Sequence, residues 1–340
     1  MRRFGKVRRL ALTLTMTAFL AGSFGGVQEA GAQEIGAVEK NCMTFEAEML
    51  TVPAFTKSEN VVSGVRMYWE ASQGDPTGYA VYRSLTPSGG FTRIANVTGT
   101  SYTDTTAESG TKYYYKLRAV RGSEMSGASA AVSKIFVDTP DITTRENSMY
   151  GIRMYWDKVE GATGYAIYRK GDDAGESWSR VKTISGNETF VWTDRSTMGE
   201  ECNGIVYHYT IRALAGEDMK TLSGCLSNGR TMVRLNKGCI EKVEGDGNYS
   251  AQVTWTGNEE ATGYEVRFMC KDSVFKTVTV GDPTILTKKV TELKSGSSFK
   301  IQVRCYFKTA NAGTYYSSWS DAKYYDTNIE LPFVPYVEKK

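Results

Sequence analysis

The chain has 340 residues, enough for two to four ordinary domains, and a hydrophobic share of 41% that can fill a core in each, which excludes fibrous, collagenous and disordered classes. Its formal charge of +3 belongs to the first 32 residues, which hold five Lys/Arg and one Glu; the remainder has 36 basic against 37 acidic residues, or −1. That remainder lacks the clustered basic charge that nucleic acid or an anionic membrane requires, and a single histidine argues against His-rich metal sites and His-based catalysis. No catalytic residue, metal or cofactor is expected.

In chain order, Arg2, Arg3, Lys6, Arg8 and Arg9 precede an uncharged apolar run from Leu10 to Ala21, followed by Ala30-Gly31-Ala32. A basic stretch, a short apolar core and a small-residue A-x-A site describe a signal peptide over 1–32, cleaved after Ala32, and a secreted chain. The apolar run is short for a bilayer, and nothing later in the sequence reads as a transmembrane helix. A short N-terminal segment, 33–50, is expected to hold at most a weak helix within Met43 to Leu50. From there the chain repeats. Arg66-Met67-Tyr68-Trp69 returns as Arg153-Met154-Tyr155-Trp156 at an offset of 87, and Thr77-Gly78-Tyr79-Ala80-Val81-Tyr82-Arg83 returns as Thr163-Gly164-Tyr165-Ala166-Ile167-Tyr168-Arg169. A fainter third copy reads Trp255, then Thr262-Gly263-Tyr264-Glu265-Val266-Arg267. A period near 90 residues is too long for a solenoid unit and suits an independent small sandwich.

Within each copy apolar residues alternate with polar ones, as in Val65, Met67, Trp69 and in Tyr113, Tyr115, Leu117, Ala119. This pattern predicts strands with one buried face. Short turn segments such as Gln73-Gly74-Asp75-Pro76 and Pro87-Ser88-Gly89-Gly90 separate them, which predicts an antiparallel sandwich.

Trp on the second strand, Tyr-x-Val/Ile on the third and Tyr-x-Tyr-x-Leu/Ile-x-Ala on the sixth resemble the fibronectin type III family over residues 51 to 327. The first copy has no cysteine, unlike an antibody-type domain. The resemblance implies an all-β chain of three tandem antiparallel immunoglobulin-like sandwiches at 51–137, 138–235 and 236–327, with a tail at 328–340. The family's tyrosine corner falls on Tyr113. In the third copy Phe299 stands there without a hydroxyl, which should weaken that corner by about 1 kcal/mol. Linkers around Thr139-Pro140 and Asn236-Lys237 look too short for free tumbling.

Six cysteines sit outside the leader, at 42, 202, 225, 239, 270 and 305. Cys270 and Cys305 fall far apart on antiparallel strands and are expected as free thiols. In this fold the loop holding Cys202 lies where the chain leaves the domain, and Cys239 follows the exit. A Cys202–Cys239 bridge stapling copies two and three is therefore expected, with Cys202–Cys225 as its rival. His208 is expected as a solvated strand residue beside Arg212, and Trp319 as an outward indole stacked on Arg304 or Lys300.

The candidate binding face is the outer side of the third, sixth and seventh strands: Tyr82, Tyr114, Lys116 and Arg118 in copy one, Tyr168, His208 and Arg212 in copy two. Tyr and Arg carry most interface energy, yet basic stems lying across tyrosine rings also stabilise a sheet that binds nothing. The function expected is a non-catalytic extracellular spacer or adhesion module binding a protein or glycan. The alternative is an accessory part of a secreted glycan-degrading system.

Overall fold

A computed structural model describes residues 48–216, 222–224, 226–245, 249–310 and 313–327. The leader, Cys42, Cys225 and the tail beyond Thr327 lie outside these, as does most of the weak helix expected at 43–50; residues 48–50 are not helical.

Copy one runs β1 (Phe55–Val61), β2 (Gly64–Trp69), β3 (Gly78–Ser84), β4 (Thr92–Val97), β5 (Ser101–Asp104), β6 (Lys112–Arg121), β7 (Glu124–Met125) and β8 (Val132–Ile135). Copy two repeats this as β9 (Ile142–Ser148), β10 (Gly151–Trp156), β11 (Gly164–Lys170), β12 (Ser179–Ser185), β13 (Val191–Asp194), β14 (Val206–Ala215), β15 (Leu222–Ser223) and β16 (Arg230–Val233). Copy three gives β17 (Ile240–Gly245), β18 (Ala251–Trp255), β19 (Gly263–Cys270), β20 (Ser273–Val280), β21 (Thr287–Val290), β22 (Ser298–Thr309), β23 (Gly313–Tyr316) and β24 (Lys323–Asp326). In each copy the first, second and fifth strands form one sheet, and the fourth, third and sixth form the other with both pieces of the last strand. All pairings are antiparallel, as expected of this sandwich.

The repeated Thr-Gly-Tyr has a physical reason. The threonine N–H closes onto the sixth strand, with Thr77 donating to the Val120 carbonyl (2.7 Å), Thr163 to Leu214 and Thr262 to Tyr306 (both 2.8 Å). A Cβ on Gly78 would lie 2.7 Å from the Val97 carbonyl oxygen, and one on Gly263 would lie 2.4 Å from that of Val280. The tyrosine ring packs against the core tryptophan, at centroid distances of 5.5 Å for Trp69–Tyr79, 5.6 Å for Trp156–Tyr165 and 5.5 Å for Trp255–Tyr264. Its hydroxyl accepts a backbone N–H from the preceding loop, from Ser72, Val159 and Asn258 respectively. One residue thus fills the core and satisfies a buried donor.

The last strand of each copy is in two pieces. A Ser-x-x-Ser segment separates them: the Ala119 and Leu117 N–H groups donate to Ser126 Oγ (2.9 Å) and Ser129 Oγ (3.0 Å), and Cys305 and Val303 donate to Ser317 Oγ (3.1 Å) and Ser320 Oγ (3.0 Å). Copy two keeps only the second serine, Ser227, to which the Ile211 N–H donates (3.1 Å).

Beneath the first two cores lies a charged group that sequence reasoning did not predict. Asp104, 0% exposed, accepts from Arg83 Nη1 (2.9 Å), Tyr115 OH (2.9 Å) and Thr106 Oγ1 (2.8 Å). Copy two repeats it with Asp194, Arg169 (2.7 Å), Tyr209 (2.9 Å) and Ser196 (2.7 Å). Burial, then the neighbouring carboxylate, pushes both tyrosine hydroxyls well above their ordinary pKa. In copy three the corresponding positions are Phe268, Val290 and Ile301, all buried.

The tyrosine corner holds on Tyr113, whose OH accepts from the Glu108 N–H (3.1 Å). Phe299 does not leave copy three short of contacts, since its ring meets Phe268 (6.1 Å) and Phe275 (5.2 Å). Such aromatic pairs contribute about 0.5–1.5 kcal/mol each, which offsets the missing hydrogen bond.

Candidate functional site

All seven residues of the expected face lie on the outer side of the sheets built around β6 and β14, and all seven are half-buried. Tyr82 sits directly opposite Lys116, whose Nζ lies 4.5 Å from the centre of the Phe91 ring. Tyr114 is covered by Lys112 (5.5 Å), and Arg118 reaches the Ser126 carbonyl (3.4 Å). In copy two the Arg212 guanidinium lies over Tyr168 (5.3 Å). His208, expected as a solvated residue, is held at both ring nitrogens, by Thr231 Oγ1 (3.0 Å) and Asp172 Oδ1 (2.8 Å). Cation–ring contacts thus involve Lys116, Tyr114, Tyr168 and Arg212, and hydrogen bonds involve Arg118 and His208, contacts of the kind that stabilise a sheet. Replacing Tyr82 and Tyr114 by Ser should lower the stability of copy one by about 1 kcal/mol, through loss of the Tyr82–Lys116 cross-strand pair and of the Lys112–Tyr114 contact along β6. Thermal melting checks this, and an unchanged melting temperature accompanied by loss of partner retention would make the stripe a binding surface instead.

The expected staple between copies two and three is absent, because Cys202 and Cys239 are both free. Each thiol turns to nearby backbone: Cys202 Sγ donates to the Ser196 carbonyl (3.6 Å) and Cys239 Sγ to that of Ile240 (3.7 Å). The rival partner, Cys225, lies outside the described residues. Cys270 and Cys305 are free, the latter buried with its Sγ on the Asn236 carbonyl (3.4 Å), and burial pushes its thiol pKa up. Tyr207 contacts Cys202, and burial with that contact pushes its hydroxyl up to about 12.

Polar loop contacts do the stapling. The Asn203 and Asn258 amides donate to each other's oxygens (3.1 and 3.0 Å), and Asn258 Nδ2 also donates to the Asn236 carbonyl (3.1 Å). Asn147 Nδ2 donates to the Tyr316 carbonyl (2.9 Å). Arg234, 3% exposed, donates to the Ser148 carbonyl (3.1 Å) inside the joint, and burial lowers its pKa. The joint between copies one and two uses the same two loops. Ser109 Oγ donates to the Glu160 carbonyl (2.7 Å) and accepts from the Asp138 N–H (3.0 Å), while Gly110 and Gly161 meet backbone to backbone.

These contacts leave a cleft of about 820 Å³ between copies two and three, bounded by β9 and the turn after it on one side and by β23 and residues 317–321 on the other. Tyr150 (45% exposed) and Met149 (55% exposed) stand on one wall. Tyr316 and Trp319 stand on the other. Trp319 stacks on Arg304 (4.4 Å) as expected, but its second cation is Arg267 (4.0 Å) rather than Lys300. The positions of this cleft differ between copies: where copy two has Arg145, Met149 and Tyr150, copy one has Ser58, Val62 and Ser63. That departure from the repeat was the only sequence signal pointing to it.

No family model matches the chain. It is similar to an amylopullulanase of Thermoanaerobacterium saccharolyticum, 39% identical over 79 residues, covering 22% of this chain and 6% of that protein. It is also similar to exoglucanase B of Cellulomonas fimi, 27% identical over 185 residues, covering 48% of this chain and 15% of that protein. The chain thus matches a small part of each relative's length. Among solved structures, the FN1–FN3 domains of chicken CNTN1 align over 81% of this chain and 97% of that one, with 14% identity and a TM-score of 0.31.

Proposed function

We propose, from the premise that the chain is a tandem of three fibronectin type III-like sandwiches, that it acts as a non-catalytic extracellular spacer or adhesion module that binds a protein or glycan. The observation that carries this reading is the pair of joints: at both, the loop before the sixth strand of one copy docks on the loop after the second strand of the next. Domains so docked hold what they carry at a defined separation, which free linkers would not. The reading of the leader as a signal peptide supports an extracellular location.

A second reading, an accessory part of a secreted glycan-degrading system, is favoured by the names of the two relatives, an amylopullulanase and an exoglucanase. Pulldown of the purified chain separates the two. Retention on an insoluble polysaccharide supports the accessory role, and retention on cell-surface proteins supports adhesion. Turnover of a polysaccharide by the purified chain would remove the non-catalytic reading altogether.

A further inference from the structure

We propose that the cleft between copies two and three is a binding site for a neutral glycan chain, an inference that rests on the accessory reading above. Three features of the cleft select that chemistry. It is pre-formed, because Asn147 on one wall donates to the Tyr316 carbonyl (2.9 Å) on the other. A ligand there would not have to order two loosely tethered domains before binding.

Three of its four lining cations meet a carboxylate: Arg304 pairs with Glu265 (2.6 Å), Lys237 with Asp321, and Arg153 approaches Glu146 (3.8 Å), while Arg145 donates to the Thr231 carbonyl (2.6 Å). An anionic polymer would find few cations not already matched by a carboxylate. A sugar hydroxyl, both donor and acceptor, fits alternating carboxylate and guanidinium groups. The walls add threonine and serine hydroxyls.

The aromatic rings are unequal. Trp319 lies under both Arg267 and Arg304, and Tyr316 lies under Arg304 (3.9 Å), so these rings stiffen the wall. Tyr150 has Arg195 over its ring (5.4 Å) yet remains 45% exposed at the mouth, which makes it the ring with surface left for a sugar. Aromatic surface of this sort, beside a few placed polar groups, is the usual composition of a small-ligand site.

The internal repeat supplies a variant designed to fold. Arg145→Ser with Tyr150→Ser installs the residues that copy one carries at the matching positions, Ser58 and Ser63. The full chain is titrated calorimetrically with maltohexaose and with cellohexaose, soluble α- and β-linked glucose oligomers, alongside the polysaccharide pulldown. Saturable binding of either oligomer, weakened about tenfold or more in a double variant that still unfolds cooperatively, supports the site. Tyr150→Ala alone, at an exposed turn, serves as the second variant and should show the same weakening. Equal binding by wild type and variants overturns the cleft and leaves the glycan reading standing. So does retention on polysaccharide without binding of either oligomer. Failure of the wild type both to bind an oligomer and to be retained removes the glycan reading and the cleft together.

Discussion

Replacing Asp104 by Ala should destabilise copy one by about 3–5 kcal/mol, because it leaves the Arg83 cation and the Tyr115 hydroxyl half-buried or buried with their shared acceptor gone. Replacing the whole group should do far less. Arg83→Phe, Asp104→Val and Tyr115→Ile together install the set that copy three already uses in the same sandwich, Phe268, Val290 and Ile301. Removing a buried ion pair and its hydrogen bonds as a unit costs little when the replacements pack, and often stabilises by about 1–4 kcal/mol. Hydrogen exchange of β6, which reports opening of copy one separately from the other two domains, distinguishes the two results. A triple variant as unstable as the single one would show that the charged group carries net stability.

The same group makes copy one sensitive to acid. Burial opposes the Asp104 charge, but hydrogen bonds from Arg83, Thr106 and Tyr115 outweigh it and hold the carboxyl below its ordinary pKa. An unfolded Asp titrates near about 3.9, so this stabilisation is complete above that pH and is lost as the pH falls through the lower folded value. Protection of β6 should therefore decline below about pH 4 in the wild type and decline less in the triple variant.

Gly161→Val should undock copies one and two while leaving each sandwich folded. Gly161 has φ of +73°, and a Cβ there would lie 1.9 Å from the Gly110 Cα, backbone that cannot swing aside. Two penalties then add: about 1–2 kcal/mol for a side chain in the left-handed region, and loss of the joint itself. Gly175→Val isolates the first, since Gly175 has φ of +94° with nothing within 4 Å of its Cβ position. Small-angle scattering should broaden for Gly161→Val and stay at the wild-type profile for Gly175→Val. Identical profiles for all three would mean that the glycine contact does not hold the joint.

Repetition and alternation were legible because they are local: Val65, Met67 and Trp69 announce a half-buried strand whatever lies opposite. The Arg83–Asp104–Tyr115 group was not, since its members are separated by 21 and 11 residues and meet only when β5 of one sheet closes on β3 and β6 of the other. A signal did exist. Arg, Asp and Tyr recur together in copy two as Arg169, Asp194 and Tyr209 and vanish together in copy three. The cysteine expectation failed for a related reason: loop position places Cys202 at the correct end of its domain, but thiol direction depends on the short 3-10 turn Glu200–Cys202, which buries that side chain. The asparagines beside it make the joint.

By itself, then, the sequence determined that this protein is three sandwiches in series, because side-chain alternation and turn chemistry act over a few residues and repeat with the period of the domain. Only the tertiary structure decided what happens between and beneath those strands. Tyr114 is held under Lys112 and Tyr168 under Arg212, Trp319 is clamped by Arg267 as well as Arg304, and a cleft opens where β9 and β23 come to face each other. Each of these depends on distances between residues far apart in the chain, which no local pattern encodes.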